Sequence, residues 1–255
     1  MENINITIIQ SNLHWEDKEA NLNMFSRKIK NAPDSTDLII LPEMFTTGFS
    51  MNAVSLAEEM NGETVNWMQK HAVEKGCAIV GSFICEENDK YFNRLVWVDD
   101  KGACSTYDKR HLFSMGDENN HYTKGTKRLI VELKGWKICP LICYDLRFPV
   151  WSRNTKTNPY DVLIYVANWP TLRIDAWKTL LQARAIENQC YVAAVNRIGD
   201  DGNFILHSGY SAVIDAKGQV ICATQKSEEN INTVTLIYED LDNFRKKFPV
   251  LDDAD

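Results

Sequence analysis

The feature that most restricts the fold is a pattern of strands and helices written twice along the chain. Ile4 to Gln10 alternates and is rich in isoleucine, which is strand character. Trp15 to Lys30 follows with Leu22, Phe25 and Ile29 at helical spacing, and Pro33-Asp34-Ser35 ends it. Leu38 to Leu41 reads as a short buried strand that stops at Pro42-Glu43. A loop with a short helix at Ala53 to Met60 leads to a helix over Thr64 to Lys75, stopped by Gly76. Strands at Cys77 to Cys85 and Arg94 to Val98 precede the turn Asp99-Asp100-Lys101-Gly102. The second half repeats this order. Lys137 to Ile142 is a strand, a helix and loop run to Pro159, and Val162 to Val166 is a second buried strand. A helix over Asp175 to Gln189 is followed by strands at Cys190 to Val195 and Tyr210 to Ile214, then the turn Asp215-Ala216-Lys217-Gly218. Each half therefore reads β-α-β-α-β-β. Such alternation needs sheets covered by helices, and two copies predict two facing sheets with helices on the outer faces. Thr233 to Phe248 adds a strand and a short helix, and Leu251 to Asp255 reads as a frayed tail.

A chain of 255 residues can build one sizeable core, and we read 1–255 as a single domain. A net charge of -7 argues against nucleic-acid and anionic-membrane partners. No apolar run approaches the ~20 residues of a bilayer span, and Met1-Glu2-Asn3-Ile4-Asn5 lacks the charged start and apolar run of a signal peptide. The seven cysteines show no CxxC pair and no Cys/His cluster of zinc spacing. Free thiols in a reducing, cytoplasmic compartment are expected, with no metal and no organic cofactor.

Three places join a reactive side chain to a strand end or a turn. The first is Cys143, where the apolar run Ile138-Cys139-Pro140-Leu141-Ile142 gives way to Tyr144-Asp145-Leu146-Arg147-Phe148-Pro149. A thiol there is either a nucleophile or, as free cysteines commonly are, a buried structural residue. The second is Glu43, in Leu41-Pro42-Glu43-Met44-Phe45. Desolvation behind four apolar residues and a proline raises a carboxyl pKa and suits a general base, and a buried ion pair fits equally well. The third is Lys109, in Asp108-Lys109-Arg110-His111-Leu112-Phe113; taken alone, a lysine is surface.

Together, in this order and at these separations, the three segments resemble the nitrilase superfamily of carbon–nitrogen hydrolases. The resemblance implies a Glu43, Lys109 and Cys143 catalytic triad and a four-layer αββα sandwich. Cys143-Tyr144-Asp145-Leu146-Arg147-Phe148-Pro149, the Lys109 segment, and Ala167-Asn168-Trp169-Pro170 with Ala183-Arg184-Ala185-Ile186-Glu187-Asn188 are similar to the omega-amidases, which hydrolyse the terminal amide of 2-oxoglutaramate and 2-oxosuccinamate. Nitrilases proper usually carry Trp where this chain has Tyr144. The family also implies a second acid near the lysine, for which Glu118 is the candidate and Asp117 the alternative. A 2-oxo dicarboxylic monoamide is an anion, so the pocket should hold a cation. Arg147 and Arg173 are the candidates, with Arg147 equally suited to a structural pair with Asp145. Phe45, Phe113, Tyr144 and Trp169 stand beside the motifs as walls or as ordinary core. The ammonium of Lys109 and the backbone N–H of Tyr144 are the expected oxyanion donors. The triad alone admits other functions: an N-carbamoyl amide hydrolase, a nitrilase, or a non-catalytic thiol sensor. The family commonly pairs subunits, so a homodimer or larger homo-oligomer is expected, with Trp151 and the Ala176 to Ile186 helix as candidate surface.

Overall fold

The computed structural model of the protein describes residues 1–253. Ala254 and Asp255, the end of the expected tail, lie outside the described residues; Val250–Asp252 just before them forms one 3-10 turn.

The first half runs β1 (Ile4–Gln10), α1 (Lys18–Asn31), β2 (Leu38–Ile40), the one-turn α2 (Ala53–Leu56), α3 (Glu63–Lys75), β3 (Ala78–Glu87), β4 (Lys90–Val98), β5 (Cys104–Asp108) and the one-turn α4 (Glu118–His121). The second runs β6 (Val131–Leu133), β7 (Trp136–Ile142), the one-turn α5 (Pro149–Ser152), β8 (Val162–Ala167), α6 (Ile174–Asn188), β9 (Tyr191–Asn196), the hairpin β10 (Ile198–Asp200) and β11 (Leu206–Ser208), β12 (Ala212–Ile214), β13 (Val220–Ala223), β14 (Asn230–Leu236) and α7 (Tyr238–Lys247). One six-stranded sheet has the order β14-β1-β2-β3-β4-β5 and the other β13-β12-β9-β8-β7-β6. In each, three central strands are parallel and the outer pairings antiparallel.

Alternation along the strands decides what each face meets. Ile4, Ile6 and Ile8 of β1 share one core with Ile138, Val162 and Val195 of the opposite sheet. Ile9 and Ile39 turn the other way, onto Leu22, Phe25 and Ile29 of α1 and Val65 and Met68 of α3. β1 packs on β9 and β4 on β7 across the interface, and Trp177, Leu181 and Ala185 of α6 cover the far side of the second sheet. The two facing sheets with outer helices that the doubled pattern predicts are thus present.

The differences are local. α1 begins at Lys18 rather than Trp15 because the Asp17 side chain accepts the Ala20 N–H at 3.0 Å and caps the helix there. β4 begins at Lys90, four residues early, because Asn88 and Asp89 both adopt positive φ and form a tight hairpin from β3. The edge strands β5, β6 and β13 and the hairpin β10–β11 are additional to the strands read from the sequence. β14 leaves the second half and pairs antiparallel with β1, Ile4 opposite Leu236.

Candidate active site

The site gathers where central strands of both sheets end. β7 ends at Ile142, and Cys143 starts a 3-10 turn with φ of +42°, a conformation rarely tolerated without glycine. β2 leads through Leu41-Pro42 to Glu43, and the next residue, Met44, also has positive φ (+43°). Lys109 directly follows β5, and Glu118 opens α4. Two sheets thus deliver four groups to one buried point, where Glu43, Lys109 and Glu118 are at most 1% exposed and Cys143 is 8% exposed.

Lys109 Nζ donates to Glu43 Oε1 at 2.8 Å and to both oxygens of Glu118 at 3.0 and 2.9 Å. Asn93 Nδ2 bridges the two carboxylates, at 2.8 Å from Glu43 and 3.1 Å from Glu118. The other Glu43 oxygen accepts the Asn168 N–H at 2.8 Å, and Phe113 N donates to Glu118 at 2.6 Å. Of the two acids left open, Glu118 holds the lysine; Asp117 is exposed and bonds Asn120 and His121. Asn93 and Asn168 were not among the expected site residues. Their only signal is an amide within or directly after an apolar strand.

Burial opposes the charge on Lys109, but the Glu118 and Glu43 carboxylates more than compensate and hold its pKa above the ordinary lysine value. Burial raises the Glu118 pKa, and Lys109 reverses only part of that. Burial, then the adjacent Glu43 carboxylate, push the Cys143 thiol well above its usual range; Lys109 pulls it down by less. The resting sulfur is therefore a thiol, and the pull of the Lys109 ammonium towards the thiolate is the smaller effect. Such a nucleophile needs a base in contact with it during reaction.

A second buried group joins the two loops that carry Lys109 and Cys143. The Asp145 carboxylate accepts Tyr107 Oη at 2.6 Å, Ile142 N at 3.1 Å and His111 N at 3.0 Å, and its Oδ1 pairs with His111 Nδ1 at 2.8 Å. Tyr107 and His111 flank Lys109 by two residues on either side, so one carboxylate clamps the lysine segment to the cysteine turn. Asp145 is thereby occupied, and of the two readings of Arg147 the structural pair with Asp145 does not form.

A cavity of about 270 Å³ opens on Cys143 and Lys109. It lies below the ~300–1,000 Å³ typical of drug-sized ligand pockets and suits a small substrate. Phe113, Tyr144 and Trp169 line it. Phe45 does not: it is fully buried between Phe25 and Trp67, with ring centroids at 5.5 and 5.7 Å, and Phe49 lines the cavity four residues later. Arg147 lies over the Trp169 ring at 4.9 Å and Arg173 over Phe113 at 5.1 Å, both facing the cavity. Among the described residues neither guanidinium has a carboxylate within 4.0 Å. Trp151 is half-buried, donating to Tyr107 Oη at 2.9 Å. Among the described residues no group of three or more His, Cys, Asp or Glu is placed to hold a metal, and no helix is long and apolar enough to cross a membrane.

The carbon-nitrogen hydrolase family profile matches residues 5–246, so the chain belongs to that family. It is 46% identical to the omega-amidase YafV of Escherichia coli K12 over 100% of this chain and 98% of that protein. It is 36% identical to the 2-oxoglutaramate amidase of Bacillus subtilis, over 97% and 96% of the two chains. A CN-hydrolase superfamily protein of Xanthomonas campestris, solved with an arsenic adduct in its active site, superposes with a TM-score of 0.98 at 44% identity, covering 100% of this chain and 98% of that one.

Proposed function

We propose that this carbon–nitrogen hydrolase is an omega-amidase, hydrolysing the terminal amide of 2-oxoglutaramate or 2-oxosuccinamate to the 2-oxo acid and ammonia. The observation that carries the substrate class is the pair of guanidiniums, Arg147 and Arg173, facing the cavity with no carboxylate partner. Two such cations favour an anionic substrate and disfavour the α-ammonium of glutamine. The similarity to enzymes named for these amides supports the same reading.

Glu43 takes the Sγ proton as Cys143 attacks the amide carbon. The Lys109 ammonium and the Tyr144 N–H hold the oxyanion. Glu118 and Asn93 fix Lys109 and Glu43 in place. Protonated Glu43 then gives its proton to the departing ammonia. Water, deprotonated by the same carboxylate, attacks the thioester carbon; the C–S bond breaks, the acid leaves, and Glu43 returns the proton to the Cys143 sulfur. The chain's own side chains complete each step, without a cofactor.

Under the same proposal the protein works in the cytoplasm as a homodimer or larger homo-oligomer, as one domain over its length, with a small-molecule amide as partner. Seven unpaired thiols support a reducing compartment, and the 89% exposed Val150 supports subunit pairing near Trp151. The test is ammonia release from 2-oxoglutaramate, glutamine, a neutral amide and a nitrile, with Cys143→Ala as blank. Release confined to 2-oxoglutaramate and lost in the variant is expected. Release from the nitrile or the neutral amide alone overturns the substrate assignment.

A further inference from the structure

One wall of the cavity is the β10–β11 hairpin, which contributes Asp201, Asn203, Ile205 and His207. His207 is 2% exposed, and its Nδ1 is fully buried with no hydrogen-bond partner among the described residues. Leaving a buried ring nitrogen unpaired costs free energy that folding has to absorb. Neither charged neighbour relieves it. The Asp201 carboxylate is occupied by the N–H groups of Asn203 at 2.8 Å and Ile205 at 3.0 Å. Arg197 gives Nε and Nη2 to backbone oxygens of Ile198 and Asp200, while its Nη1, like His207 Nδ1, is buried with no partner among the described residues. Burial, reinforced by Arg197, pushes the His207 pKa down to about 4, so the ring is neutral at ordinary pH. A neutral imidazole offers one N–H donor and one lone pair.

Of the other polar residues of the cavity, Asn168 gives its side-chain N–H to the Glu43 carbonyl at 2.6 Å and Asn203 is exposed at the rim. Cys143 and Lys109 serve the amide, and Arg147 and Arg173 serve the carboxylate. The substrate has one more polar atom, an uncharged acceptor: the 2-oxo oxygen. We propose that His207 donates a ring N–H to this oxygen and is the residue that distinguishes a 2-oxo acid amide from its deoxo counterpart. The inference rests on the omega-amidase reading and adds to it a hydrogen bond that carboxylate recognition alone does not need.

The test compares 2-oxoglutaramate with glutaramate, which lacks only the 2-oxo group, in the wild-type protein, His207→Phe and His207→Gln. The wild type is expected to prefer 2-oxoglutaramate in kcat/KM. Phe is expected to remove about tenfold of that preference, one hydrogen bond's share, entirely on 2-oxoglutaramate. Gln, which keeps a donor, retains most of it. Equal losses on both substrates, or a preference kept by Phe, overturn the assignment. A wild type that turns over both amides equally overturns it while leaving the omega-amidase reading intact; a wild type that hydrolyses neither overturns both. A readout independent of the variants uses wild-type protein labelled with ¹⁵N at histidine. The product 2-oxoglutarate is expected to shift the His207 ring resonances and glutarate to leave them unmoved; identical responses contradict the proposal.

Discussion

Replacing Lys109 by Met would leave two buried carboxylates facing each other with no cation between them. Lys109 makes three contacts of 2.8–3.0 Å to Glu43 and Glu118, in a cluster at most 1% exposed. Removing one partner from such a buried set typically costs ~3–5 kcal/mol, because the remaining charge is uncompensated. At about 2–4 °C per kcal/mol for a chain of this size, Tm should fall by ~6–20 °C. The loss also acquires a pH dependence of known sign. Without the ammonium, burial and mutual repulsion raise the folded-state pKa of the carboxyls. A carboxyl raised in the folded state adds stability below its unfolded pKa and loses it as pH rises through the folded one. The deficit relative to wild type should therefore widen from pH 5 to pH 8. Thermal unfolding followed by circular dichroism at both pH values measures this. Adding Glu118→Gln should restore more than half of the lost Tm at pH 8, since it removes one of the two charges in direct contact. A Tm within about 2 °C of wild type at pH 8, or a deficit that widens as pH falls, would refute the reasoning.

Asp145→Asn should lower kcat by tenfold or more with little change in KM, because an amide cannot accept from Tyr107, Ile142 and His111 together; steady-state kinetics on the folded variant check it. Iodoacetamide should alkylate Cys143 slowly at neutral pH and faster as pH rises, given a thiol held well above its usual range; a pH-independent rate between pH 6 and 9 contradicts that state. Lys109→Ala should slow the alkylation further, and an unchanged rate would break the link between the lysine and the sulfur. His207 contributes stability above the ordinary histidine pKa that is lost as pH falls towards about 4. His207→Phe should accordingly flatten the decline in Tm between pH 6.5 and 4.

What the sequence makes legible follows from which forces act locally. The alternation of Ile4, Ile6 and Ile8 and the spacing of Leu22, Phe25 and Ile29 are set by burial on one face, so β1 and α1 are visible in the chain. β5 and β13 are edge strands in which only Tyr107 is buried, defined by the neighbour they pair with rather than by a pattern of their own. Glu43, Lys109 and Cys143 sit at strand ends and could be named as candidates. Their convergence depends on how the two facing sheets are aligned; the doubled pattern predicts the sheets, and only the resemblance brought the three residues to one point. Phe45 illustrates the limit: adjacency to a motif suggested the cavity, but the chain reverses at Met44 and the ring enters the core. Asn93 and His207 carried little local signal, because their roles come from the folded site: Asn93 from Glu43 and Glu118, 50 and 25 residues away, and His207 from the cavity it helps to close.

The most direct test is to mix the enzyme with 2-oxoglutaramate, quench in acid during turnover, and map acyl adducts by peptide mass spectrometry while ammonia is measured in parallel. An acyl group on the peptide carrying Cys143, with ammonia released by the wild type and neither signal in Cys143→Ala, is the expected result. Ammonia released by Cys143→Ala at the wild-type rate would contradict a thioester mechanism at this site.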